Sequence, residues 1–288
     1  MTSHNADATF TTRQAGRARE FRDLHVAGRP LLLPNAWDAV SARIVEEAGA
    51  PAVATTSAGV AWSLGVPDGD RLGRGPAVEL IARVAATVGV PVTADVESGF
   101  ADTADGVEET IGAVLAAGAV GVNIEDAHHG GPEPLRPVRD QADRIAAARR
   151  AADAVGIPLF VNARTDTYLL SVGDPAGRVA ETLRRAAAYL AAGADGIFVP
   201  GLTDLAVLSS LVEELQAPLN VLAGPGAPGV AALAGVGVAR ISLGSSVAAA
   251  AYAVAQRAAR ELFADGTYTT LDGALGYGEI NALFTGRD

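Results

Sequence analysis

One pattern recurs along this chain: an alanine-rich helix, then a glycine, then a short apolar strand. It is clear in residues 47–53 (EAGAPAV) and again in residues 192–198 (AGADGIF). The glycine can take the left-handed conformation that ends a helix. The apolar run after it suits a strand buried on both faces of a parallel sheet. The repeat therefore predicts helices that alternate with parallel strands.

The number of repeats predicts the fold class, which is α/β. The predicted strands cover residues 31–33, 52–55, 91–95, 121–125, 159–163, 196–199, 219–222 and 240–243. The predicted helices cover residues 39–47, 79–88, 106–117, 139–154, 175–191, 205–215 and 245–263, with a short turn from 229. Eight such units predict one (β/α)₈ TIM barrel. The alternative is a doubly wound open sheet, but no Gly-x-Gly-x-x-Gly turn follows Leu33 or Thr55.

The ends of the chain extend beyond these repeats. We predict a flexible leader over residues 1–17 and a single barrel domain over residues 18–288, with an extra helix at about 18–25. The tail from residue 265 is apolar enough to dock. We expect it to form helices and consider it a candidate for exchange between subunits.

Two missing residue types narrow the chemistry. The chain has no cysteine, which excludes disulfides, thiolate metal ligands and cysteine nucleophiles. All 22 basic residues are arginine, which excludes Schiff-base mechanisms because these need a lysine amine. Recognition of an anion therefore falls to arginine, backbone amides or a metal ion.

Charge and hydropathy argue against two classes of partner. The net charge is −11, whereas nucleic-acid binders need a basic stripe. No run of 18 apolar residues without a charge occurs, which argues against a membrane span. The polar N-terminus lacks a signal pattern, so we expect a cytoplasmic protein that acts on a small molecule.

Four acidic residues stand where two predicted strands end: Asp95 and Glu97 after the third, Glu125 and Asp126 after the fourth. Barrel enzymes place their chemistry at this edge. Residues i and i+2 of a strand share a side, so Asp95 and Glu97 can face one site. Adjacent residues point oppositely, and we favour Glu125 for the mouth. Such an oxygen cluster suits a hard cation such as Mg²⁺, and helix capping is the structural alternative.

Three further polar features follow strands. Arg164 is placed to hold a substrate carboxylate, and an ion pair with Asp166 is the structural alternative. Asp68 lies in a Pro-Asp-Gly turn and taken alone is a structural residue. Small and hydroxyl residues after the second strand can form an amide nest for an anion or a simple turn; they are Thr56, Ser57, Ala58 and Gly59.

The remaining candidates lie near other strand ends. Trp37 could line the floor of the pocket, and Asn220 could reach it. The loop over residues 127–137 is rich in glycine and proline and could form a lid. Its His128 and His129 can shuttle protons or can simply be solvated, and they are too few for a zinc site.

Taken together, the motifs resemble the isocitrate lyase/phosphoenolpyruvate mutase superfamily, with most likeness to its carboxyphosphonoenolpyruvate phosphonomutase-like branch. The resemblance covers about residues 21–284. Its carriers are PNAWD at 34–38, TSAG at 56–59, SLGVPD at 63–68, DVESGF at 95–100, IED at 124–126 and NARTD at 162–166.

The resemblance implies an enzyme that uses Mg²⁺, with Mn²⁺ as an alternative, to act on small carboxylates such as 2-oxo acids. It implies that Asp95 binds the metal, that Glu97 and Glu125 hold it through water, and that Asp68 shapes the site. It also implies that Arg164 binds a substrate carboxylate and that residues 56–59 supply amides. Homo-oligomers, commonly tetramers that exchange a C-terminal helix, are expected as well.

The chain departs from two branches of the superfamily. The lyase branch has a proton-donating cysteine in the loop after strand 4, where this chain has Ala127-His-His-Gly-Gly-Pro132. The mutase branch has a lysine at the start of that loop and a histidine after strand 6, where this chain has Ala127 and Pro200-Gly201. Neither usual reaction can be carried over directly.

These residues lead to one main hypothesis and two alternatives. The main hypothesis is cleavage of a C–C bond beside the oxo group of a 2-oxo (di)carboxylic acid through a metal-stabilised enolate, as in an oxaloacetate decarboxylase or acetylhydrolase. Arg164, Asp68, Glu97 and His128 are its catalytic candidates. The alternatives are P–C bond chemistry on a phosphonopyruvate-like substrate and a non-catalytic barrel that binds a metabolite.

Overall fold

A computed structural model describes residues 2–285 of the chain, with side chains from residue 11 onwards. Residue 1 of the predicted leader and residues 286–288 of the predicted tail lie outside this range. Eight parallel strands form one sheet. They are β1 Leu31–Leu33, β2 Val53–Ala54, β3 Val92–Asp95, β4 Gly121–Glu125, β5 Phe160–Arg164, β6 Gly196–Phe198, β7 Leu219–Leu222 and β8 Arg240–Ser242.

Eleven α-helices accompany these strands within residues 2–285. They are α1 Thr2–Asp23, α2 Ala39–Glu47, α3 Ser57–Ser63, α4 Arg74–Thr87, α5 Ala104–Ala116, α6 Val138–Val155, α7 Arg178–Ala191, α8 Leu205–Glu214, α9 Val230–Gly235, α10 Ser246–Asp265 and α11 Tyr277–Ala282. None of the helices in this part of the chain is long and apolar enough to cross a membrane.

The sheet closes into a barrel, as predicted. Each strand from β3 to β8 pairs in parallel with its sequence neighbours, and β1 pairs with β8. The remaining gap between β1 and β2 is bridged by Ala36, whose N–H donates to Ala54 O at 2.8 Å and whose carbonyl accepts from Thr56 N at 3.1 Å. Closure excludes the open-sheet alternative and brings all eight carboxyl ends of the strands to one mouth.

The N-terminal helix α1 begins well before residue 18, so the predicted boundary between leader and barrel falls inside it. Gln14 is buried and its side-chain amide donates to Leu115 O at 2.7 Å and Ala119 O at 2.9 Å, which fixes α1 against the end of α5. The fully buried Phe21 ring packs edge-on against Phe160 of β5, 5.7 Å between centroids. Helix α1 thus covers the amino end of the barrel, opposite the mouth.

Two segments near the mouth differ from the prediction. Residues 57–63, expected to be an irregular loop, form the short helix α3, and α4 begins at Arg74 rather than at residue 79.

At the other end of the chain the tail contains α11, and Leu283 O accepts a 2.7 Å hydrogen bond from the buried Arg43 side chain of α2. Exchange of this tail between subunits stays a prediction.

Candidate active site

A cavity of about 220 Å³ opens at the carboxyl ends of the strands. Residues in or after all eight strands line it. The lining includes six of the residues singled out in the sequence: Thr56, Ser57, Ala58, Asp68, Asp95 and Arg164. A cavity of about 440 Å³ lies elsewhere, beside Leu31 and Ala50, and Arg29 is the sole ionisable residue in its lining. A further cavity of about 450 Å³, lined by Asp70 and His129 among others, lies beside the loop after β4. The cavity of about 220 Å³ is the one that the ends of the barrel strands line, and it is therefore the candidate active site.

Asp95, the last residue of β3, lies at the bottom of this cavity. Its Oδ2 accepts a 3.2 Å hydrogen bond from the backbone N–H of Ser57, and its own N–H donates to Thr55 Oγ1 at 2.9 Å. Its Oδ1 is buried and has no hydrogen-bond partner among the described residues. Burial raises the pKa of the Asp95 carboxyl, and this outweighs the opposing effects of Arg164 and Ser57.

Glu97 does not continue the strand as the i, i+2 argument assumed. Its φ of 50° turns the backbone into the left-handed region. Its Oε2 accepts hydrogen bonds from the N–H groups of Gly69, at 3.0 Å, and Asp70. Oε1 is buried without a partner in the described chain, and burial raises the Glu97 pKa to about 8. Glu97 therefore anchors the loop that carries Asp68.

Glu125 and Arg164 face each other across neighbouring strands. The register of β4 and β5 pairs the two residues, and Arg164 Nη1 lies 2.7 Å from Glu125 Oε2. Asp166 takes the other edge of the guanidinium, with Nε and Nη2 donating to its two oxygens at 2.6 and 2.8 Å. Although burial opposes the charge, Glu125 and Asp166 raise the Arg164 pKa above its usual value. Arg164 is thus a fixed cation beside the cavity.

Asp126 points away from the mouth, as the alternation along a strand predicts. It is fully buried, and its Oδ2 accepts from Tyr189 OH at 2.7 Å and from Arg185 Nη1 at 3.0 Å, both on α7. Its Oδ1 accepts from the N–H of Asp166 at 3.0 Å. Asp126 therefore fixes the turn that brings Asp166 to Arg164, and its role is structural.

The structure brings His129, rather than the predicted His128, to the acidic residues. His129 Nε2 lies 2.9 Å from Glu125 Oε1, and this hydrogen bond is the main cause that raises the His129 pKa. His128 contributes its backbone to a turn of the loop: its N–H donates to Pro134 O and its carbonyl accepts from Gly131 N. The sequence offered both histidines but held no signal to choose between them, because the choice depends on how the loop folds.

Three predicted substrate contacts lie outside the lining of the cavity. A Cβ on Gly59 would lie 2.8 Å from Thr56 Cγ2 and 2.9 Å from Trp37 Cβ, so Gly59 lets α3 pack closely against the β1 loop. The Trp37 ring instead neighbours Tyr252 of α10, with centroids 6.4 Å apart. Asn220 is buried one layer below, where Nδ2 donates to Ser242 Oγ at 2.9 Å.

Several lining residues were missed by the sequence reading. Asn35, for example, accepts from Leu243 N at 3.1 Å and Gly244 N at 2.8 Å, and so ties the end of β1 to the end of β8. Most of the missed residues stand at or just after a strand end, which is the signal that could have found them, whereas Asn123 lies in the middle of β4. The missed residues are Asn35, Asn123, Leu169, Phe198, Pro200, Leu222, Ser242, Gly244 and Ser245.

The carboxylates at this cavity are candidate ligands for a metal ion. Within residues 11–285, no group of three acidic or histidine side chains is arranged to enclose a metal ion by itself. Two buried oxygens, Asp95 Oδ1 and Glu97 Oε1, nevertheless lack partners in that range, and burying an unpaired acceptor is costly. Their chemistry suits a hard cation that keeps several waters, as Mg²⁺ does. The donors fit a cation with one direct protein ligand, Asp95, better than an all-protein cage.

Comparisons with known proteins agree with this architecture. The family model for phosphoenolpyruvate phosphomutase matches residues 21–263. The chain is similar to 2-methylisocitrate lyase from Escherichia coli strain K12, with 30% identity over 70% of this chain and 68% of that one. A crystal structure from Burkholderia cenocepacia J2315, provisionally assigned as a lyase/mutase, superposes on this chain with a TM-score of 0.88 and 40% identity. The match covers 96% of this chain and 98% of that one.

A further solved structure bears on the metal. It is a phosphonopyruvate hydrolase in complex with oxalate and Mg²⁺, and it superposes on this chain with a TM-score of 0.79. The two sequences are 25% identical, and the match covers 93% of this chain and 94% of that one.

The neighbouring acids Glu125 and Asp126 should respond differently to substitution. We expect Asp126→Ala to lower the free energy of unfolding by about 3–5 kcal/mol, because three buried donors lose their acceptor: the Tyr189 hydroxyl, Arg185 Nη1 and the N–H of Asp166. Glu125→Gln should cost about 1 kcal/mol, since Asp166 still pairs with Arg164. Urea unfolding followed by circular dichroism measures both. Equal losses for the two variants would contradict the assignment of separate roles.

Proposed function

This chain belongs to the phosphoenolpyruvate phosphomutase family, a family of lyases and mutases, and we propose that it is a Mg²⁺-dependent enzyme that cleaves a C–C bond. The bond lies next to the oxo group of a small 2-oxo acid. Decarboxylation of an oxaloacetate-type acid is the simplest such reaction, because it needs no base to start. The family match and the lyase relative support the enzyme class.

The observation that carries the proposal is the pairing of opposite charges across one small cavity. Asp95 offers an unpartnered buried carboxylate oxygen, while Arg164 offers a guanidinium held by Glu125 and Asp166. A 2-oxo acid has a carboxylate next to a polar carbonyl, so it presents an anion to the arginine and an oxygen to the acidic side. A divalent cation at Asp95 would supply positive charge where negative charge develops as the bond breaks.

The side chains of this chain have definite tasks in such a reaction. Arg164 uses three of its five N–H groups on Glu125 and Asp166, which leaves two for a substrate carboxylate. These ion pairs also fix the plane of the guanidinium and so the direction of approach. The hydrogen bond from Ser57 N holds the Asp95 carboxylate in one orientation.

A proton must return to the carbon after the bond breaks. Cysteine and lysine are absent from the sequence, so neither can deliver it. His129 shares a 2.9 Å hydrogen bond with Glu125, which in turn contacts Arg164. This connects an imidazole at the surface of the loop with the edge of the cavity. We assign His129 the task of holding Glu125 in place beside Arg164, and the proton that returns to the carbon comes from solvent.

The second candidate function is cleavage of a P–C bond in a phosphonopyruvate-like substrate. The match to the phosphomutase family model and the likeness to a phosphonopyruvate hydrolase favour it. The two reactions share the carboxylate on Arg164 and the oxo group near Asp95. They differ in the leaving group, which is uncharged carbon dioxide or an acyl fragment in one case and a phosphoryl group in the other.

A substrate screen separates the two candidates. With MgCl₂ present, we expect turnover of oxaloacetate or a substituted oxaloacetate in ¹³C NMR and no phosphate release from phosphonopyruvate in ³¹P NMR. Asp95→Asn should lower kcat/KM by at least about 100-fold, because it removes the anionic oxygen from the cation site. Phosphate release by the unaltered protein would instead support P–C chemistry. Full activity of the Asp95→Asn protein would refute the metal-dependent mechanism.

The two loop histidines provide a matched test. We expect His129→Gln to lower kcat by at least about 10-fold, since Glu125, and through it Arg164, is no longer held in position. His128→Gln should stay within about 2-fold, because the His128 ring packs on Gly131 of the loop and the hydrogen bond to Glu125 comes from His129. Steady-state kinetics on the substrate found in the screen measures both. A larger loss for His128→Gln would show that the loop works differently from this account.

A further inference from the structure

The candidate cavity has two chemically different sides. From β8 through β1 to β4 it is lined by acids and hydroxyl or amide groups, among them Ser245, Ser57 and Asp95. On the side of β6 and β7 it is lined by an apolar group from three strand ends and loops: Leu169, Phe198, Pro200 and Leu222. We call these four residues the apolar wall. Arg164 on β5 lies between the two sides.

The barrel register fixes this order around Arg164. Arg164 pairs with Glu125 of β4 on one flank and with Phe198 of β6 on the other. Its guanidinium carbon lies 5.9 Å from the centroid of the Phe198 ring. A molecule whose carboxylate binds Arg164 therefore has carboxylates of the protein on one side and an aromatic ring on the other.

Close backbone contacts hold the apolar wall in place. Gly201, at φ 84°, packs so tightly on the β5 loop that a Cβ there would lie 2.8 Å from the backbone of Leu169. Leu222 is held similarly, because a Cβ on Gly244 would lie 2.9 Å from its Cδ1. Both glycines have a conformation that other residues rarely adopt. The wall is thus built by the fold rather than left over from a loose loop.

The charges in the lining are unevenly distributed. Among the described residues that line the cavity, Arg164 is the only basic side chain, and it lies at the border of the apolar wall. Two of its neighbours, Glu125 and Asp166, already balance part of its charge. An anionic group directed toward Phe198 and Pro200 would meet no cation among the lining residues and would lose part of its hydration.

We propose that the apolar wall is a subsite for an alkyl substituent, so that the substrate is a 2-oxo acid with a short aliphatic group directed at this wall, such as an alkyl-substituted oxaloacetate. The inference rests on the proposed function in one respect, the binding of the carboxylate by Arg164. A cavity of about 220 Å³ limits the chain to a few carbons. Leu169, Phe198, Pro200 and Leu222 are the specificity-determining residues.

Binding of unreactive 2-oxo acids tests the subsite without any need for turnover. The probes are pyruvate, 2-oxobutyrate, 2-oxopentanoate and 2-oxoglutarate, titrated calorimetrically into the full-length protein with MgCl₂. Each added methylene should tighten Kd roughly 3- to 4-fold. 2-Oxoglutarate, which has as many carbons as 2-oxopentanoate but a second carboxylate, should bind at least about 10-fold more weakly than 2-oxopentanoate. Equal or tighter binding of 2-oxoglutarate would overturn the inference.

Two adjacent leucines offer a matched pair of variants. Leu169 and Leu170 are similarly exposed, at 45% and 43%, but only Leu169 belongs to the lining of the cavity. We expect Leu169→Ser to flatten the dependence of Kd on chain length and Leu170→Ser to leave it unchanged. If both substitutions change this dependence equally, or if neither changes it, the apolar wall is not the subsite.

The outcomes also separate this inference from the proposed function. The expected chain-length series without turnover of any oxaloacetate would support the subsite and refute the proposed reaction. Turnover of unsubstituted oxaloacetate, together with Kd values that do not change with chain length, would support the reaction and refute the subsite. Binding of none of the four acids would refute both.

Discussion

The ion pairs of Arg164 are the interaction on which the rest of the candidate site depends. The barrel buries Glu125 and Asp166 at its mouth, where uncompensated carboxylates would be strongly destabilising. Arg164 contacts both within 2.7 Å, and the register of β4 and β5 sets its distance from Glu125. Its charge also lowers the pKa of Asp95, against the effect of burial. One arginine thus lets three acids lie beside a single cavity, and it retains two N–H groups for a ligand.

A second layer of contacts holds these charges in position. Asp126 accepts from the N–H of Asp166, so the carboxylate that faces α7 also orients the partner of Arg164. Glu97 holds the loop at Gly69, and Ser57 N holds Asp95. In each case an acid or a backbone amide fixes the position of a group in or next to the cavity. Such support is what a site needs if its charges must stay in place while a substrate changes charge.

The sequence predicted the barrel well because the helix–glycine–strand repeat is a local signal. Strands β1, β4 and β7 have the predicted bounds, and the acids and Arg164 stand at the predicted edge. The errors concern features set by contacts between distant segments. The left-handed turn at Glu97, the choice of His129 over His128 and the position of Trp37 beside Tyr252 all depend on how loops pack. The apolar wall was missed for the same reason, because Leu169 and Leu222 meet the cavity only after the strands are arranged.

The central claim is that a divalent cation binds at Asp95 and faces a ligand carboxylate on Arg164. A crystal grown with MnCl₂ and oxalate tests it most directly, because the anomalous signal of manganese locates the ion. The account predicts a manganese peak within about 2.5 Å of a carboxylate oxygen of Asp95 and oxalate between the ion and Arg164. A manganese ion bound elsewhere, or oxalate bound without contact to Arg164, would contradict it.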